Sequence, residues 1–80
     1  MKVCVYVLGR GRQFELKEEA EFANCVSFDV TTYECSKPSF RSVQIKILSG
    51  RILSVDFLDS CNTVMVYLNS RSRFVLEAER

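Results

Sequence analysis

The sequence predicts a β-rich fold, all-β or β-rich α+β. The expected architecture is a small antiparallel sheet of about six or seven strands, built from hairpins and curled into a small barrel or sandwich. Three observations carry this reading. Apolar residues recur with period two along most of the chain, which is the side-chain period of a pleated strand. β-Branched and aromatic residues fill those stretches. Turn-forming residues interrupt them at short intervals.

The first element is Val3–Leu8, where Val3, Val5 and Val7 alternate with Cys4, Tyr6 and Leu8. Both faces are apolar, as expected of a central strand buried on two sides. Gly9-Arg10-Gly11-Arg12 breaks it. Phe14 and Leu16 then alternate with Gln13, Glu15 and Lys17, which completes a hairpin. Residues 17–25 are ambiguous. Leu16, Ala20 and Ala23 fit the i, i+4, i+7 spacing of a short helix, and a strand tail with a polar loop fits as well. Val26, Phe28, Val30 and Thr32 form one face of the next strand, and Ser36 to Ser39 mark a loop.

Two further hairpins are expected. Val43, Ile45 and Ile47 match Phe57, Val55 and Leu53 across a loop around Ser49, Gly50 and Arg51, with Gly50 at positive φ. A one-residue slip would turn every side chain to the wrong face, so the loop has three or five residues. By the same reasoning Val64, Val66 and Leu68 match Ala78, Leu76 and Phe74 across Asn69–Arg73. Leu48, Ile52 and Leu58, with Met65, Tyr67 and Val75, supply apolar residues to the second face.

Eighty residues make a single domain, 1–80, and the 48% apolar content excludes the composition of a disordered chain. The apolar run at Val3–Leu8 is six residues, far short of the roughly 20 that span a bilayer, so no membrane association is expected. It is also too short for a secretory leader. The expected compartment is therefore the cytoplasm, where Cys4, Cys25, Cys35 and Cys61 would remain free thiols.

Histidine is absent, which removes the usual general base and the commonest metal ligand. The four cysteines show no Cys-x-x-Cys pair, and structural zinc sites usually have tight pairs. Gly9-x-Gly11 lacks the third glycine of a dinucleotide fingerprint and leads into a strand rather than a helix. No catalytic residue, cofactor or metal site is expected, and the chain does not read as an enzyme.

What remains is charge. The seven arginines fall in predicted loops or at the C-terminus. Residues 1–12 carry +3, residues 13–34 carry −5, residues 35–51 carry +4 and residues 52–80 carry −1, which together give the net +1. A dipolar small protein suits electrostatically guided docking. The expected function is a non-enzymatic protein-binding module that regulates or inhibits a larger macromolecular partner, a profile shared by small inhibitors encoded by phages and mobile elements. The candidate contact residues are Arg10, Arg12, Arg51, Arg71 and Arg73 with the acidic Glu15, Glu18, Glu19 and Glu21. Nucleic-acid binding through the arginine loops is the alternative, with Tyr33, Phe40 or Tyr67 as stacking groups. Against it stand the small net charge and a simple meander, which would split the arginines between the two ends of the sheet. A third reading is a structural subunit that forms homo-oligomers through an edge strand.

Overall fold

Alternating apolar residues make seven strands, and the two faces of a sandwich bury them. The computed structural model describes residues 1–32 and 37–78. The strands are β1 (Lys2–Leu8), β2 (Phe14–Glu21), β3 (Ser27–Thr32), β4 (Ser42–Ser49), β5 (Ile52–Leu58), β6 (Thr63–Leu68) and β7 (Arg73–Ala78). Two single 3₁₀ turns, Arg10–Arg12 and Asp59–Cys61, join β1 to β2 and β5 to β6. One sheet has the order β2-β1-β6-β5 and the other β3-β4-β7.

The strand count and the sandwich agree with the sequence, but the pairing is different. Both sheets are mixed: β1 runs parallel to β6, and β3 parallel to β4. Of the three expected hairpins only the first forms, with Leu8 opposite Phe14. At Ser49-Gly50-Arg51 the chain crosses between sheets, and it crosses back at Asn69–Ser72. β4 therefore takes β7 as its neighbour, with Ile47 opposite Phe74, Ile45 opposite Leu76 and Val43 opposite Ala78. β5 takes β6, with Phe57 opposite Val64 and Val55 opposite Val66. The physical reason is that alternation fixes which face of a strand is buried, not which strand lies beside it. A strand stacked across the core obeys the same in-and-out pattern as one hydrogen-bonded within the sheet.

Residues 17–25 contain no helix. β2 continues to Glu21, and a turn at Ala23-Asn24 follows. Glu and Lys favour helices, but pairing with the buried β1 overrides that modest preference. A β-bulge within β2 sets Leu16 and Ala20 on opposite faces, and Ala23 lies in the turn. Val5 sits opposite Glu18 and Tyr6 opposite Leu16, so Lys17 is the extra residue.

The core lies between the sheets. Val3, Val5 and Val7 of β1 and Val64, Val66 and Leu68 of β6 face Val43 and Ile45 of β4, and all are buried. Phe28, Ile47, Ile52, Phe74 and Leu76 close its flanks. The bulge residue of β5 is Leu53, which lets Ile52 reach this core rather than the outer face expected for it.

Cys4, Cys25 and Cys61 are free thiols, the first two buried and the third exposed. Cys35 and Tyr33 lie outside the described residues. Cys4 stands on the outer face of its sheet, where burial pushes its thiol above the ordinary range and nearby Glu19 adds to the effect. Tyr67 on the same face is raised by burial and then by Asp56, and the Lys2 ammonium is raised by its bond to Glu19. All three groups hold their protons more tightly in the folded chain. As pH rises, the unfolded chain loses those protons first, so stability is level at neutral pH and falls from about pH 8.5 upward. Urea midpoints at pH 7, 9 and 10 should decrease in that order, and Cys4→Ala should flatten the first part of the decline. A midpoint that rises between pH 7 and 9 would contradict this.

Candidate docking groove at the arginine end

The parallel pairing of β1 and β6 decides where the arginines go. Val7 stands opposite Leu68, so both strands end on the same side of the molecule. β5 starts there as well, with Ile52 opposite Leu68, and Ser49 of β4 meets Arg73 of β7. The turns 9–13, 49–51 and 69–72 therefore converge on one end of the sandwich. They carry Arg10, Arg12, Arg51 and Arg71, and Arg73 opens β7 beside them. The two separate groups expected from a meander become a single group. Arg73 also lies within a strand rather than a loop. Arg41 sits at the opposite end, with its guanidinium 5.5 Å from the centre of the Phe40 ring.

Asn69 ties two of these turns together. Its backbone N–H donates to the Arg51 carbonyl at 3.1 Å. Its side-chain oxygen accepts from the Arg51 N–H at 2.9 Å and from the Ser72 hydroxyl. Ser72 Oγ also lies 2.8 Å from the Asn69 carbonyl. Arg12 and Arg71 hold positive φ angles of 60° and 61°. Left-handed backbone costs a non-glycine residue about 1–2 kcal/mol. Such geometry persists only where the surroundings enforce it, and it clusters at functional sites.

Between β2 and β7 runs an open groove of about 760 Å³. Glu15, Lys17 and Glu18 line one bank, and Arg71 and Arg73 line the other. Val7, Leu8, Leu48, Phe74 and Val75 provide its apolar surface. The β2 bulge creates the acidic bank. It turns Glu15 and Glu18 to the same face as Val7 and Val5, their partners on β1. Without the extra residue, strict alternation would put Glu15 and Glu18 on opposite faces. A second cleft next to it is lined by Leu8, Gly9, Arg10, Ser70 and Arg71, so the arginine surface continues around the tip. The chain matches no known family model, and comparison with curated proteins and with solved structures finds no similar protein.

Glu19 and Glu21 do not reach the groove. They face the other side of β2, where Glu19 pairs with Lys2 at 2.5 Å and Glu21 with the N-terminal amine at 3.1 Å. Glu15 pairs with Lys17 at 3.2 Å. Among the described residues, none of Arg10, Arg12, Arg51, Arg71 and Arg73 makes an ion pair. Of the expected stacking groups, Tyr67 lies flat against Tyr6 with ring centres 5.1 Å apart, and Phe14 meets it edge-on at 5.0 Å. Phe40 is three-quarters exposed at the other end. Phe14, Tyr6, Leu48 and Phe74 were not among the candidate residues. Phe14 carried a signal, since it directly follows the Arg10–Arg12 turn. Leu48 and Phe74 carried none, because their neighbours depend on the crossing between sheets. Among the described residues there is no group of three acidic or cysteine side chains that could hold a metal ion, and no helix is long and apolar enough to cross a membrane.

Proposed function

We propose that this chain is a non-enzymatic binding module that docks on a larger protein partner and regulates it. The observation that supports this is the groove, with Arg71 and Arg73 on one bank, Glu15 and Glu18 on the other, and an apolar surface between them. Opposite charges flanking an apolar strip match a protein surface of reciprocal pattern. Charge sets approach and register, and apolar contact supplies affinity. A long polyanion would meet the acidic bank as well as the basic one.

The test uses the immobilised protein and two double variants, Arg71→Glu with Arg73→Glu, and Glu15→Lys with Glu18→Lys. Proteins captured by the wild type should be lost, or weakened at least tenfold, in both variants. Glu19→Lys should leave them in place. Equal capture by all variants would overturn the groove as the docking site.

A second reading has its own support. Arg10, Arg12, Arg51, Arg71 and Arg73 gather at one end and make no ion pair among the described residues, which suits a phosphate-binding surface. Anisotropy of labelled mixed-sequence RNA and DNA at two salt concentrations separates the two. Affinity that falls steeply with salt, and that the Arg10→Glu/Arg12→Glu variant abolishes, would replace the protein partner with nucleic acid.

A further inference from the structure

Among the described residues, β5 is an edge strand, hydrogen-bonded to β6 on one side only. Edge strands in monomers are usually protected by charge, proline or a bulge that interrupts the ladder. β2, the other edge of the same sheet, carries Glu15, Lys17, Glu18, Glu19 and Glu21 and is bulged in its middle. β7 carries Arg73 and Glu77. β5 reads Ile-Leu-Ser-Val-Asp-Phe-Leu, with one charge and no proline. Its bulge lies at Leu53, near its start, and leaves Ser54–Leu58 regular. Leu53, Val55, Phe57 and Leu58 remain 41%, 42%, 51% and 43% exposed.

The order of these residues is self-complementary. Within the regular stretch, antiparallel pairing of two β5 strands about Val55 sets Val55 against Val55 and Ser54 against Asp56. An apolar residue meets its own copy at the axis. The single carboxylate meets a hydroxyl rather than its own copy, so no like charges oppose each other. Val55 and Phe57 lie on the core side of the sheet, opposite Val66 and Val64, and Leu58 lies on the outer side opposite Thr63, so both sides of the junction carry half-exposed apolar side chains. This strand pairing is isologous and closes under one two-fold axis.

We propose that the free edge of β5 pairs with the same edge of a second copy, antiparallel about Val55, joining two four-stranded sheets into one of eight. This surface is separate from the arginine groove and stands or falls independently of it. The contact is smaller than the roughly 800 Å² per partner of a standard interface, so the dimer is a concentration-dependent one in the micromolar range.

Sedimentation equilibrium over 5–500 µM is expected to show an apparent mass rising from 9.2 kDa towards twice that value. Val55→Lys should weaken dimerisation at least tenfold while the thermal transition confirms that it remains folded; Val55 is already half-exposed, so a lysine there can reach water. A second readout fixes the register. In a Cys35→Ser/Cys61→Ser background, Val55→Cys should form a disulfide-linked dimer on mild oxidation. Directly opposed Cα atoms lie about 4.5–5.5 Å apart, within disulfide range. Ser54→Cys should cross-link to Asp56→Cys in a mixture far faster than to itself. A constant mass of 9.2 kDa up to 500 µM would overturn the proposal, as would a dimer unaffected by Val55→Lys or cross-links that ignore this register.

Discussion

Ile45→Ala is expected to destabilise the domain by about 3–4 kcal/mol. Ile45 is fully buried on β4, the middle strand of its sheet. Val30 of β3 and Leu76 of β7 flank it directly. Hydrogen bonding on both edges holds β4 in place, so the cavity cannot close by moving the strand. Truncation then incurs the cavity cost on top of the lost burial, which places it in the upper part of the 2–5 kcal/mol seen for such changes. At about 0.05–0.15 kcal/mol per residue, a domain of this size has roughly 4–12 kcal/mol in all. The variant should therefore lose a large share of its urea midpoint with no change in slope. Ile45→Val should cost only about 1 kcal/mol. A loss below about 2 kcal/mol for the alanine variant, the lower edge of that class, would mean that the two sheets can settle together over the void.

Gly50→Ala is expected to cost about 2 kcal/mol, from the α-left backbone penalty and a displaced hydrogen bond. Gly50 sits at φ +87°, where the chain passes from one sheet to the other. A Cβ there would run into Ser72 Oγ and would lie 2.6 Å from Asn69 Oδ1. Those two atoms clamp the turns that present Arg51, Arg71 and Arg73. The loss should therefore appear twice, as a lower melting temperature and as weaker partner capture. Adding Ser72→Ala should recover the part due to Ser72 Oγ and leave the φ penalty and the close approach to Asn69 Oδ1, giving a coupling of about 0.5–1 kcal/mol in the double-mutant cycle. Strict additivity would show that Ser72 moves aside without resistance.

These two residues also mark where the sequence was informative and where it was not. Ile45 was readable as core, because alternation with β-branched residues specifies a buried face. Gly50 was readable as a positive-φ turn, because glycine followed by Arg51 broke two apolar runs. What Gly50 connects was not readable. Ile47 could satisfy its alternation beside Leu53 or beside Phe74, and the competition between those pairings is settled by packing between the two sheets. The acidic stretch failed for a related reason. Leu16 and Ala20 have helical spacing, but the bulge at Lys17 sets Leu16 beside Tyr6 on the outer face and Ala20 beside Val3 on the core face. Glu15 and Glu18 were named with Glu19 and Glu21 as one patch, but the bulge divides them between opposite faces. The arginines were expected as two groups and stand as one, because the parallel register of β1 and β6 has no local signature.

That parallel register also constrains how the chain reaches its native state. β1 cannot complete its pairing until residues about sixty positions later are available, and β4 must wait for β7, the last of the seven strands to leave the ribosome. β1–β2, β3–β4 and β5–β6 join neighbours along the chain, and β1–β6 and β4–β7 do not. A topology that depends on such distant partners closes large loops before its core is complete, and folds on the millisecond-to-second scale rather than in microseconds. During synthesis one apolar edge of β1 and one of β4 are thus left unpaired for as long as the ribosome needs to make the rest of the sandwich.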